Sequence, residues 1–248
     1  MFRERACPAA LTMFRERACP AAVAVAARRR SAPAARGQAT SPNRFLRMPC
    51  MVRAYHVVFS TYGFWLPNDP RGSWSDFVRS WEIARFGKAS KVNTRRSLAH
   101  TPHDVRLRQR AKQELKYPAV VLAGVQARAV GHGFAMAVAK SGYCIHACSI
   151  LPQHVHLVVA RHRLPVEQII AHLKGTATLR LIEEGVHPLN NCRTSRQTTP
   201  TPWSQRKGWV VYLSDDGDIR RAIRYVEENP IKEGKRRQRW SFVVPFEA

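Results

Sequence analysis

No stretch of the 248 residues approaches 18 consecutive apolar positions, so nothing in the sequence reads as a membrane-spanning helix. Acidic side chains are scarce: 17 Asp+Glu stand against 41 Lys+Arg, a formal net charge of +24. A surplus of that size points to a polyanionic partner. Because no long basic amphipathic helix stands out, nucleic acid ranks ahead of a membrane surface. The six cysteines, at positions 7, 19, 50, 144, 148 and 192, include no CxxC pair. That argues against a disulfide scaffold and fits a reduced, cytoplasmic protein with incidental thiols. A glycine-rich phosphate loop is also missing. What remains is ample for a core: with 45% hydrophobic residues, wholesale disorder is excluded and the length suits one domain with appendages.

The first fifty residues hold 10 Lys+Arg and 2 Asp+Glu, which leaves 31 against 15, or +16, for residues 51–248. The basic excess therefore belongs to the body as well. MFRERACPAA at residues 1–10 recurs at 13–22, and the stretch through Arg36 is rich in Ala, Arg and Pro with hardly an aromatic. Such a segment cannot build a core; it reads as an overextended start or a disordered basic arm, with a transit peptide as the alternative. The folded domain is expected over residues 51–248.

Tyr55–Thr61, YHVVFST, is the first strand by its aromatic and β-branched content. Residues 64–103, with Pro67, Pro70, Gly72 and three tryptophans, read as an irregular insertion. Helical patterning is predicted over 104–116 and again over Val120–Lys140, with Gly142 as a stop. Two strands follow, Tyr143–Leu151 and His154–Ala160. Pro165 opens a helix carrying Ile169, Ile170, Leu173, Ala177, Leu181 and Ile182 to Gly185. Residues 187–202 read as a polar loop, Trp209–Leu213 as a last strand, and Asp215–Asp218 as the cap of a helix ended by Asn229 and Pro230. The order strand, helix, strand, strand, helix, strand is a split βαβ arrangement. It predicts an α+β fold, an antiparallel sheet with helices packed on one face.

Two motifs carry chemistry. In SILPQHVHLVV, residues 149–159, His154 and His156 stand at i and i+2, a spacing that turns both imidazoles to one face of a strand. The pair can grip a divalent ion, and oxygen ligands would adapt the site to Mg²⁺ or Mn²⁺. The same spacing also suits two half-exposed strand histidines with ordinary hydrogen bonds. In IRRAIRYVEENPIKEG, residues 219–234, Tyr225 and Asn229 stand at i and i+4, on one flank of a stripe formed by Ile219, Ala222, Ile223 and Val226. A phenol is a possible nucleophile on phosphorus and an amide oxygen a possible ligand. A boundary tyrosine and a helix-ending asparagine are the plainer reading of the same spacing.

Taken together and in this order, LPQHVHLVV and YVEENPIKEG resemble the HUH single-tyrosine transposases, in particular their REP-associated branch with its PxHxH and YIxxNPxKxG motifs. The resemblance runs from Tyr55 to about Phe246. It departs from the usual family length at residues 64–103 and 187–202 and has Gln153 where Asn or Glu is common, differences that bear on DNA specificity. What it implies is a ferredoxin-like fold, His154 and His156 as metal ligands with Asn229 as the third, and Tyr225 as nucleophile. The implied reaction is transesterification on single-stranded or hairpin DNA, with a divalent metal, Mg²⁺ or Mn²⁺, through a 5′-phosphotyrosine intermediate.

The DNA grip is expected from Arg206, Lys207, Arg220, Arg221, Arg224, Lys232, Lys235, Arg236, Arg237 and Arg239, interleaved with Trp203, Trp209 and Trp240. Charge runs also form ordinary solvated faces. Tyr55, Tyr62, Tyr117, Tyr143 and Tyr212 lack a helical Asn four residues on and read as structural. A catalytically retired DNA-binding protein on the same fold is the alternative function, and a replication-initiation or relaxase-type nickase a third. The active protein is expected as a monomer or a homodimer, with no membrane partner.

Overall fold

The computed structural model describes residues 51–70, 78, 80–89, 101–204 and 208–247. The expected basic arm at 1–50, along with Arg206 and Lys207, lies outside the described residues.

β-Branched and aromatic content favours the extended backbone of β1 (Ala54–Ser60), β2 (Ile145–Ile150), β3 (His154–Ala160) and β4 (Trp209–Leu213). They form one four-stranded sheet in the order β2-β3-β1-β4, every neighbouring pair antiparallel. This is the α+β split βαβ topology of a ferredoxin-like fold. The helices are α1 (Trp81–Ala84), α2 (Val105–Gln113), α3 (Gly124–Ser141), α4 (Val166–Glu183) and α5 (Asp216–Lys232). Residues 120–123, expected to begin the third helix, precede it: the helix starts at Gly124, and Ala123 is extended. Within the predicted insertion, α1 supplies Ile83 to a satellite cluster with Leu66, Phe86 and Ala111 of α2.

The helices do not share one face. Val57, Phe59, Val155, Leu157 and Val159 point to α3 and α4, which contribute Val130, Phe134, Ile169, Ile170, Leu173 and Leu181 to the main core. Each such side chain contributes about 1.5–3 kcal/mol by leaving water. The two helices come close because position 133 is glycine: a Cβ there would lie 2.6 Å from the Ala177 Cα. Ile182, expected in that core, is exposed, since it is turned about 100° from Leu181 around the helix. The opposite face carries Ala54, Ala147, Val158, Val211 and Leu213, and α5 packs there through Ile219, Ala222 and Val226. The single-face expectation fails because the second face also carries apolar residues, Ala54, Val158, Val211 and Leu213, which need a cover of their own.

Asp215 caps α5, its carboxylate accepting from the Asp218 N–H at 2.8 Å. The helix does not end at Asn229 and Pro230 but continues to Lys232. Pro230 so near the C-terminus removes a single backbone donor, and the last carbonyls are closed by a glycine turn. Gly234, at φ 69°, gives its N–H to the Ile231 carbonyl, and Lys235 gives its own to Pro230.

Candidate active site

The sheet face under α5 brings three histidines together. In the β1–β3 register Val58 is opposite His156, Ser60 opposite His154 and His56 opposite Val158, so His56, His154 and His156 all project to that face. Tyr225, on α5, covers them. Its ring centroid is 5.6 Å from that of His156 and 5.7 Å from that of His56, both edge-on, while His154 and His156 are 4.9 Å apart. Asn229 follows one turn later on the same side of α5 and is wholly buried. Sequence spacing had put Tyr225 and Asn229 on the flank of the helix. They instead face the sheet, with Tyr225 only 7% exposed.

The remaining contacts set the electrostatics. His56 Nε2 and His156 Nδ1 are 3.2 Å apart. Burial pulls the His56 pKa down to about 4. It holds His156 well below the ordinary imidazole value, an effect reinforced by the neighbouring His154 and His56. Both rings are therefore neutral near pH 7. His154 stacks on Phe64 with ring centroids 5.5 Å apart, and its Nε2 lies 3.8 Å from a Glu233 carboxylate oxygen. The Lys232 ammonium sits 5.0 Å over the Tyr225 ring. Ser149, opposite His156 on β2, is completely buried, and its hydroxyl makes no hydrogen bond among the described residues.

Among the described residues no group of three or more His, Cys, Asp and Glu side chains is arranged to hold a metal ion. The expected set of His154, His156 and Asn229 contains only two such side chains. Its chemistry fits a divalent ion: a neutral His156 keeps a lone pair, His154 adds a second imidazole, Asn229 an amide oxygen, and the Ser149 hydroxyl an unsatisfied buried oxygen nearby.

Arg220, Arg221, Arg224, Lys232, Lys235, Arg236, Arg237 and Arg239 are all exposed, as a phosphate-binding surface requires. Several are engaged within the chain. Arg221 pairs with Asp218, Lys232 with Glu228 at 3.2 Å and Arg237 with Glu227 at 3.6 Å, while Arg220 lies 5.7 Å over the Phe246 ring. Trp203 departs from its expected role. It is 1% exposed, packs on Phe59, and donates its indole N–H to the Lys174 carbonyl at 3.0 Å, so it is a core residue with no face for a base. Trp209 and Trp240 are partly exposed.

Sequence reasoning missed His56 and Glu233. His56 lies within the YHVVFST strand, and only the register with β3 reveals that its side is also that of His156.

No family profile matches the chain, and no curated protein matches it. Among solved structures, one described as a REP-associated tyrosine transposase bound to a REP hairpin aligns with 77% of this chain and 74% of its own, at 13% identity and a TM-score of 0.38. Among the described residues no helix is long and apolar enough to cross a membrane.

Proposed function

We propose that this protein is a DNA strand transferase that cleaves and rejoins single-stranded or hairpin DNA through Tyr225. The observation that carries the proposal is the convergence of Tyr225 with His156 and His56 on one buried sheet face, inside a chain of net charge +24. His154, His156 and Asn229 would hold a divalent metal, Mg²⁺ or Mn²⁺. When bound, the ion supplies positive charge to the non-bridging oxygens of the scissile phosphate.

The chain's own residues do the rest. Tyr225 Oη attacks phosphorus in line: the Oη–P bond forms, the bond from phosphorus to the 3′ oxygen breaks, and a 5′-phosphotyrosine and a 3′-hydroxyl result. The phenol proton leaves to solvent, and the departing 3′ oxygen takes one up. A phenol with an ordinary pKa of about 10 is a poor nucleophile near neutral pH, and the Lys232 ammonium over the ring lowers the cost of phenolate. Because one phosphoester replaces another, a second 3′-hydroxyl can reverse the step without ATP. Arg220, Arg221, Arg224, Lys235, Arg236 and Arg237 would contact backbone phosphates and make binding salt-dependent.

One observation favours the alternative of a catalytically retired DNA-binding protein: Tyr225 is nearly enclosed between α5 and the sheet, so the proposed chemistry requires α5 to lift before a phosphate reaches it. Incubating the full chain with labelled hairpin oligonucleotides from the DNA flanking its gene, with Mn²⁺, separates the two. A denaturant-resistant protein–DNA band that maps to Tyr225 supports the transferase. Tight hairpin binding with no covalent band supports the retired protein.

A further inference from the structure

We infer that His56 is a positioning residue for His156: it accepts a hydrogen bond from the His156 Nδ1–H and so holds that imidazole in the tautomer whose Nε2 carries the lone pair. The inference rests on the reading of His156 as a ligand made above, and it gives a role to a residue outside both sequence motifs.

The geometry leaves few choices. His56 Nε2 and His156 Nδ1 face each other at 3.2 Å, with both residues almost fully buried, at 1% and 2% exposed. Two ring nitrogens at that distance share a single proton, so one is the donor and the other the acceptor. If His56 held the proton, the neutral His156 would carry its own on Nε2 and have no lone pair left to offer the site. With the proton on His156 Nδ1, Nε2 is the free base. Ligating histidines generally have this arrangement, the second nitrogen donating to a neighbouring acceptor that fixes ring and tautomer.

His56 is also built to stay in place. It lies on β1 and His156 on β3, the two central strands, diagonal to each other across a continuous register. The His56 ring is flanked by His156 at 5.4 Å, Tyr225 at 5.7 Å and Trp209 at 5.8 Å, which leaves little room for a rotamer change. An acceptor locked in this way can impose an orientation on its partner, as a mobile side chain could not.

The test is a long-range ¹H–¹⁵N correlation spectrum of histidine side chains in the metal-free full chain near neutral pH, with Mn²⁺ binding measured by calorimetry. Wild type should show His156 protonated at Nδ1. His56→Phe keeps a ring but removes the acceptor; it should move the proton to Nε2 and weaken Mn²⁺ binding about 10- to 100-fold. His56→Gln, whose amide oxygen can reach the place of the imidazole Nε2, should restore both signals. A purely structural role would change the melting temperature of the Phe variant and leave the tautomer alone, which overturns the inference. If His56→Phe does not fold, wild type and His56→Gln decide: His156 protonated at Nε2 in either one overturns it. Failure of the strand-transferase reading looks different. There the Tyr225 adduct is missing while the tautomer and its dependence on His56 persist.

Discussion

The two faces of the sheet are made from alternate residues of the same strands and differ in nearly everything else. Toward α3 and α4 the strands present Val57, Phe59, Val155, Leu157 and Val159, and the core they join is built of aliphatic and aromatic side chains. Toward α5 they present His56, Ser60, His154, His156 and Ser149 beside Ala54, Ala147 and Val158. A fold can bury five polar side chains on one face only when the other supplies the hydrophobic surplus, because each buried polar group costs free energy unless it is partnered. Stability is thereby assigned to one side of a sheet one residue thick and chemistry to the other. The helix that carries Tyr225 is the lid of the chemical side.

Mutations on the two faces should therefore have opposite signatures. The largest separation is expected for Tyr225→Phe, which keeps the ring between α5 and the sheet and removes one oxygen. The covalent DNA adduct should vanish while the melting temperature stays within a few degrees of wild type and hairpin binding persists with the same salt dependence. A surviving adduct, or a nucleotide located on Tyr212 by mass spectrometry, would remove the chemistry from the α5 face.

His156→Ala comes next: divalent-dependent cleavage should fall to background in a gel assay, with most DNA affinity kept because that affinity rests on the basic surface. Leu173→Ala, on the other face, should cost about 2–5 kcal/mol in urea unfolding and leave adduct formation per folded molecule unchanged.

The faces should also differ in their response to acid. His56 and His156 are held neutral by burial, with folded pKa values below the unfolded value of about 6.5, so the unfolded chain binds more protons over the intervening range. Their contribution is complete above about pH 6.5 and is lost as pH falls below it; for His56 the loss amounts to about 3 kcal/mol by pH 4. Urea midpoints measured from pH 7 to 4 should fall, and His56→Phe should flatten the curve. A wild-type midpoint independent of pH over that range contradicts a neutral buried pair. The smallest effect concerns the attachment of the lid. Asp215→Ala removes the cap of α5 and should cost about 1 kcal/mol, read as faster amide exchange at the start of the helix and not in α4.

The parts of this molecule legible in advance are those governed by neighbours along the chain. His154–Ala160 and Trp209–Leu213 were readable to the residue from β-branched content. Gly142 and Gly185 stop their helices because only the left-handed conformation, at φ 69° and 67°, suits those positions. Pro230 was misread as a terminator because the sequence shows the missing N–H but not the glycine turn that closes the carbonyls beyond it. Trp203 was misread as a surface aromatic because its loop is polar, and nothing local reveals that α4 offers its indole a carbonyl.

The order of strands and helices, the pairing of His154 with His156 on one strand face, and the spacing of Tyr225 and Asn229 on one helix are all legible in the primary structure. These follow from periods of two and 3.6 residues, which are properties of the backbone. It took the folded chain to show that α5 closes over the face opposite α3 and α4, that Tyr225 and Asn229 point inward, and that His56 meets His156 from 100 residues away. Those outcomes depend on strand register and on which apolar surface each helix can cover, and both are settled by packing between segments distant in the chain.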